Sequence, residues 1–406
     1  MPEQASLKIQ IDDLPQIIDG IRLDSASAEV CYKDRKDVVL IELNPQTTTA
    51  AVFTTNAFCA APVQIAKKHL LESSPRYLLI NSGNANAGTG QPGYEAAMAC
   101  CKAVAEHTGC QPNEVLPFST GVIGQVLPSD RVMAVIPSLV SGLDPKYWSL
   151  AAEAIMTTDT RSKLFSCQTS IDGKLVHFTG IAKGSGMIRP NMATMLSYVA
   201  TDANIGQSQL QTCLNIAVNK SFNRITVDGD TSTNDALVLM ATGKSGVEIT
   251  DNNIEAFQAA LNELCITLAR SLVRDGEGAT KLINIEVQGG QNEQECARVA
   301  YAIAHSPLVK TAFFASDPNW GRILAAVGYA GVKDLDIDKL QIYLDEVCLV
   351  EQGGVAKTYT EEQGQKVMQQ AEITVRVNLN RGDASTTVWT CDFSYDYVRI
   401  NAEYRT

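Results

Sequence analysis

The first question is where a reactive group and its base can meet. The chain has four histidines, His69, His107, His177 and His305, each isolated in sequence. A histidine-based triad needs a His within hydrogen-bond reach of a nucleophile and a third group to orient it. Acid and base work is therefore expected elsewhere, and the segment KGSGMIRPNMATML, Lys183 to Leu196, offers a route. A threonine hydroxyl is a poor nucleophile without a base beside it; one solution makes the threonine N-terminal, so that its own α-amine serves. An α-amine titrates near ~8, much closer to neutrality than a lysine side chain. For internal Thr194 to gain one, the Ala193–Thr194 bond must be cut. Small Ala193, and an approach rich in Gly and Pro that can hold a strained peptide, suit attack of the hydroxyl on the preceding carbonyl. On spacing alone the plainer account is a loop, GSGMIRPN, after which Thr194 opens a strand, TMLSYVATD.

Two other stretches invite chemistry and do not carry it. NSGNANAGTGQPG follows a strand and precedes a helix as a phosphate loop would, but Gly83, Gly88, Gly90 and Gly93 do not fit GxGxxG and no GK[ST] follows. DGDTSTND, from Asp228, resembles a calcium loop, yet Thr233 stands where the sixth-position Gly belongs and Leu239 where the bidentate Glu belongs. A structural turn is the expectation there. The 11 cysteines are spread from Cys31 to Cys391 without a CxxC pair, so neither a metal site nor a redox motif is indicated. Reduced, mostly buried thiols are expected.

The elements that must position these residues alternate along the first half. DVVLIEL (Asp37 to Leu43), AAVFTT (Ala50 to Thr55) and RYLLINSG (Arg76 to Gly83) read as buried strands. GYEAAMACCKAVAEHTG reads as a helix that stops at Gly109. SQLQTCLNIAVNKSF places Leu210, Cys213, Leu214 and Ala217 on one helical face, and NIEAFQAALNELCITLARSLVRD does the same with Phe257, Leu261, Leu264, Leu268 and Leu272. Beyond Leu282 the pattern changes to strict alternation, with Ile283, Ile285 and Val287, then Ile373, Val375, Val377 and Leu379, on one face. A second α/β unit starting near residue 283, its sheet exposed on one side, is expected. EEQGQKVMQQ near Glu361 reads as a surface connection or a helix start.

With 406 residues, the chain exceeds a single domain of roughly 100 to 200 residues, so two or three units are expected. A net charge of -12 without a basic stripe argues against nucleic acid. The start, MPEQASLKIQIDDLPQ, lacks the basic and apolar regions of a secretory signal, and no run of about 18 apolar residues suggests a membrane span. A cytoplasmic protein is the expectation.

The segment KGSGMIRPNMATMLSYVATDA resembles the self-cleavage segment of the ornithine acetyltransferases, arginine-biosynthesis enzymes that move acetyl from N-acetylornithine to glutamate. The likeness runs over essentially the whole chain. In the family's order it includes NSGNANAGTG (Asn81 to Gly90), STGVIG (Ser119 to Gly124), AIMTTDT (Ala154 to Thr160), RITVDGDTSTND (Arg224 to Asp235), DGEGATK (Asp275 to Lys281), DPNWGRI (Asp317 to Ile323) and the terminal INAEYRT.

The resemblance implies that Thr194 cuts its own chain and becomes the nucleophile, with Thr120 and Gly121 as the oxyanion hole. It implies substrate contacts at Thr157, Lys183, Thr194, Glu277, Asn401 and Thr406. Lys183 can pair with a carboxylate and Glu277 with an ammonium. The implied fold is α/β: an αββα sandwich over residues 1–282, made of a fragment 1–193 and another starting at Thr194. A smaller α/β domain follows over 283–406, its last residues returning to the active site. The implied partners are N-acetylornithine and glutamate, with the two fragments associating as an α2β2 heterotetramer. No cofactor or metal is called for, acetyl-CoA being a possible second acetyl donor. The rival expectation is an N-terminal-nucleophile amidohydrolase or aminopeptidase, which gives the acyl group to water.

Overall fold

A computed structural model describes residues 9–189 and 195–403. Ala193, Thr194 and Thr406, to which the sequence assigns the cut, the nucleophile and a substrate contact, lie outside the described residues. Two compact units result, one from Met1–Asn223 with Asp230–Leu272 and the other from Arg224–Gly229 with Val273–Thr406.

The first unit contains β1 (Ile11–Asp12), β2 (Ile21–Ala26), β3 (Val38–Leu43), β4 (Thr48–Phe53), α1 (Ala61–Glu72), β5 (Tyr77–Asn84), α2 (Gly90–Thr108), β6 (Val115–Val122), α3 (Ser129–Gly142) and α4 (Trp148–Ala154). There follow β7 (Lys163–Ile171), β8 (Lys174–Lys183), β9 (Leu196–Thr201), α5 (Gln207–Lys220), β10 (Ala236–Ala241) and α6 (Ile254–Arg274). The strands form two sheets, ordered β2-β3-β5-β6 and β1-β7-β8-β9-β10-β4.

Because successive side chains of a strand point to opposite faces, each buried strand serves two cores. Leu23, Val39, Ile41, Leu78, Ile80 and Phe118 of the smaller sheet pack against Ile181, Tyr198, Ala200, Val238 and Met240 of the larger one. Phe118 and Tyr198 meet edge to face across this interface at 5.4 Å; truncating either would cost about 3–5 kcal/mol. The opposite face of the smaller sheet, with Val38, Leu40, Leu79 and Val115, is covered by Cys100, Cys101 and Val104 of α2 and Ile136 and Leu139 of α3. On the outer face of the larger sheet, Phe257 of α6 packs on Phe178 at 5.2 Å. The layers are therefore helix, sheet, sheet, helix, the αββα sandwich that the resemblance implies.

The sequence pattern locates most of these elements. Helix α2 stops at Gly109, whose φ of 77° is the left-handed cap a glycine supplies. All five expected core residues of α6, and the four of α5, are buried. Strand β4 differs: it occupies Thr48–Phe53, and at Thr54, whose N–H still donates to Asp235 O at 2.9 Å, the hydroxyl donates to Ser232 O at 2.7 Å.

The second unit contains β11 (Leu282–Gly290), α7 (Glu293–Ala304), α8 (Pro307–Phe314), α9 (Trp320–Gly328), β12 (Gln341–Leu344), β13 (Val347–Glu351), β14 (Gly354–Val355), α10 (Glu361–Met368), β15 (Glu372–Asn378), β16 (Ala384–Cys391) and α11 (Tyr395–Ala402). One sheet runs β14-β13-β12-β15-β11-β16. Strands β11 and β15 pair in parallel, with Ile283 opposite Ile373 and Val287 opposite Val377. One face is buried beneath helices α7 to α10 while alternate residues stay partly exposed. The segment at Glu361 is a true helix, started by a capping box between Thr360 and Gln363.

All eleven cysteines are free thiols and seven are buried. Among the described residues, no helix is long and apolar enough to cross a membrane.

Candidate active site

The central segment is an excursion between two neighbouring strands. Lys183 ends β8 and pairs across the ladder with Leu196, the first residue of β9. The chain therefore leaves the sheet and returns to it at adjacent points, so both ends of the Thr194 segment are fixed. Its approach is held rather than loose, since Ser185 and Ile188 are 1% and 0% exposed and Ser185 Oγ meets Thr158 Oγ1 at 2.7 Å. On the far side, the N–H of Met195, the residue following Thr194, donates to buried Asp235 Oδ1 at 2.8 Å.

Thr120 and Gly121 lie near the end of β6, paired in parallel with Ser82 and Gly83 of β5 where the ladder shifts register. Gly121 has φ 133°, and a Cβ there would sit 2.2 Å from Gly83 C and 2.5 Å from Asn84 N. Both contacts are with backbone, which cannot swing aside, so only glycine fits. Lys183 Nζ donates to Thr120 Oγ1 at 3.1 Å. The start of the Thr194 segment and the end of β6, where the oxyanion hole is expected, thus touch.

Behind Lys183 stands Asp159. Its carboxylate accepts from Lys163 Nζ at 2.5 Å, from Gly184 N at 2.7 Å and from Thr157 N at 3.0 Å. Burial alone would raise this carboxyl, but the charges of Lys183 and Lys163 and the hydrogen bonds from Lys163 and Thr157 outweigh it and hold the group down at about 2. One buried anion thus holds the backbone N–H of Thr157 and that of Gly184, the residue after Lys183; Thr157 and Lys183 are two expected substrate contacts.

The NSGNANAGTG and TSTND segments supply the scaffold. Asn234 Nδ2 donates to Ser119 O at 2.9 Å and to Ala85 O at 2.6 Å. Ser119 Oγ donates to Asn81 Oδ1 at 2.5 Å, and Asn81 Nδ2 to Asn84 O at 2.8 Å. Adjacent side chains, Asn234 and Asp235, therefore tie the residue before Thr120 and the residue after Thr194 to one turn. The asparagines of the glycine-rich stretch are consumed in holding buried backbone.

In the second unit, Asn401 Nδ2 donates to Glu277 Oε2 at 2.8 Å, bringing two more expected contacts together. The DGEGATK loop is clasped by the C-terminal segment: Thr280 N and Lys281 N donate to Asp392 Oδ1 at 2.8 and 2.9 Å, and Ser394 Oγ donates to Gly278 O at 2.6 Å. Gly278 has φ 67°, and a Cβ would lie 2.6 Å from Tyr397 N.

Asp159, Lys163, Asn234 and Asp235 were not singled out from sequence. Asp159 sits inside AIMTTDT, and Asn234 and Asp235 end RITVDGDTSTND; the available signal was a charged or amide residue within a family motif, which does not disclose a partner far away in the chain.

The chain matches the ArgJ family over residues 22–406. It is 56% identical over 392 residues to the arginine biosynthesis bifunctional protein ArgJ of Psychrobacter arcticus, covering 96% of each chain. It is 57% identical over 392 residues to the protein of that name from Methylococcus capsulatus, again covering 96% of each. A crystal structure of the arginine biosynthesis bifunctional protein ArgJ from Bacillus halodurans aligns with TM-score 0.50 and 44% identity, covering 52% of this chain and 100% of that one. The chain belongs to the ArgJ family of arginine-biosynthesis enzymes.

Proposed function

We propose that this chain cuts itself between Ala193 and Thr194 and then, as a glutamate N-acetyltransferase, carries acetyl from N2-acetyl-L-ornithine to L-glutamate on the Thr194 hydroxyl. The observation that carries this is the clamp around the Thr194 segment: Lys183 against Thr120 at one end, Met195 against Asp235 at the other, and Asn234 joining the second to β6. The solved Bacillus halodurans chain supports it by size, since its full length corresponds to 52% of this one, the share a fragment from Thr194 to Thr406 would span.

In the cycle, the Thr194 α-amine takes the hydroxyl proton while Oγ1 attacks the acetyl carbonyl. Thr120 and the Gly121 N–H meet the oxygen that becomes negative, where a preorganised donor is worth about 10²–10³ in rate. The C–N bond breaks, ornithine leaves with the proton, and acetyl remains as a Thr194 ester. The α-amine of glutamate then attacks the ester and the threonine recovers its proton. Thr157 and Lys183 contact the substrates, as do Glu277, Asn401 and Thr406. Acetyl-CoA serves as a second donor, in keeping with the word bifunctional in the relatives' names; no bound cofactor is needed. The fragments stay associated as α2β2, and the enzyme works in the cytoplasm.

The test is a chase of enzyme acetylated with labelled N-acetylornithine. Glutamate should accelerate loss of label at least 100-fold over buffer and should appear as N-acetylglutamate. Label lost to water at the same rate with and without glutamate would favour the amidohydrolase instead.

A further inference from the structure

The family resemblance makes Lys183 a substrate contact, but its geometry points to a further task. Lys183 is 4% exposed and its Nζ donates to Thr120 Oγ1. A hydroxyl carries one hydrogen and accepts through its lone pairs. With an ammonium on one lone pair, the hydrogen of Thr120 must point away from the lysine. An ammonium donating into a hydroxyl also withdraws charge from it, which strengthens the hydroxyl as a donor in turn, the more so where water is excluded. The lysine is itself fixed from behind, since the N–H of the next residue, Gly184, is bonded to Asp159, whose charge also faces Lys183.

We propose that Lys183 is a positioning residue of the oxyanion site, acting through Thr120: it turns the Thr120 hydrogen toward the oxygen that becomes negative and polarises that hydroxyl as charge develops. This rests on the acetyl-transfer reading above and deepens it. A residue that only held substrate would contribute equally to the ground and transition states and would show in KM; one acting through the oxyanion donor shows in kcat.

The test compares T120A, K183M and the double variant with the parent, with turnover expressed per self-cleaved chain from a denaturing gel. Loss of Lys183 leaves Asp159 paired with Lys163 at 2.5 Å, a neutral buried pair, so the fold should survive. K183M is expected to lower kcat about 100-fold, in addition to the rise in KM that follows from losing its substrate contact. In the T120A background the same change should cost less than about threefold, because its target is gone. K183Q, which keeps an N–H donor without charge, should retain part of kcat and supplies the same comparison if the methionine variant does not fold. A K183M or K183Q enzyme with intact kcat and raised KM would overturn the proposal, as would losses that multiply in the double variant. A parent chain that never cleaves would instead remove the functional reading beneath it; a cleaved, active parent with a KM-only effect removes this inference alone.

Discussion

In the first unit, Lys163 and Lys183, 1% and 4% exposed, both act on the carboxylate of Asp159. In the second, Lys310 of α8 is 1% exposed and donates to Thr390 Oγ1 at 2.8 Å and to Cys391 O, with its Nζ 4.5 Å from the Phe393 ring centre. Burying an ammonium costs several kcal/mol unless partners replace its water. The first cluster meets that cost with the Lys163–Asp159 ion pair and, at Lys183, with a hydrogen bond into Thr120. The second meets it with neutral oxygens and an aromatic face, so burial pushes the Lys310 pKa down, opposed by Cys391, Asp392 and Asp228. Lys310 binds α8 to the end of β16, and its hydrogen bonds stay within that joint. The contrast shows that burial alone does not mark a functional lysine; what marks Lys183 is where its donor points.

The largest expected effect separates the two directly. Lys310→Ala leaves polar acceptors unmet and a cavity, and should lower stability by about 3–5 kcal/mol, while Lys310→Met, which fills the space, should lose about 1–3 kcal/mol. Chemical denaturation reads both, and turnover per folded, cleaved chain should stay at the parent level. Turnover that falls with unchanged unfolding would erase the distinction drawn here.

A second pair of variants sharpens the account of the clamp. Asp235→Ala removes the acceptor of Met195 N–H and should slow self-cleavage at least 10-fold, about 1.4 kcal/mol. Asp235→Asn keeps an oxygen at Oδ1 and should restore most of the rate. A gel time course after synthesis distinguishes them; equal rates for both variants would mean that the Met195 bond does not position the segment.

A further effect is confined to low pH. Asp159 titrates near 2 when folded, below its unfolded value near ~4. A depressed carboxyl contributes stability that is present in full above about pH 4 and is lost as pH falls toward 2, on the order of 2–3 kcal/mol. Asp159→Asn should flatten that part of the stability curve, as followed by urea unfolding between pH 5 and 2, whereas no change at Lys310 should do so.

Much of the fold was legible because its signals are local. The alternation in Ile283, Ile285 and Val287 and the 3.6 spacing in Phe257, Leu261 and Leu264 record burial residue by residue, and Gly109 records a cap. The two-sheet packing was not legible from periodicity, because Leu40 and Ile41 are both apolar and both buried: a strand covered on both faces reads the same in a sandwich and in a doubly wound sheet. Of the candidate residues, Thr120, Gly121, Lys183, Glu277 and Asn401 were named through resemblance. Asp159, Asn234 and Asp235 were not, since their work consists of hydrogen bonds to Gly184, Ser119 and Met195, and sequence spacing carries no trace of such distant pairings. Gly121 was legible as a glycine; that it is required by the closeness of Gly83 became visible only with the β5–β6 register.

The central claim is the cut at Ala193–Thr194. Intact-mass spectrometry of the purified protein under denaturing conditions measures it most directly, with N-terminal sequencing of the second species. The account predicts two polypeptides, one ending at Ala193 and one beginning TMLSY, and a single 406-residue chain when Thr194 is replaced by alanine. An active parent enzyme that remains one uncut chain, or a Thr194→Ala variant that still yields both fragments, would contradict it.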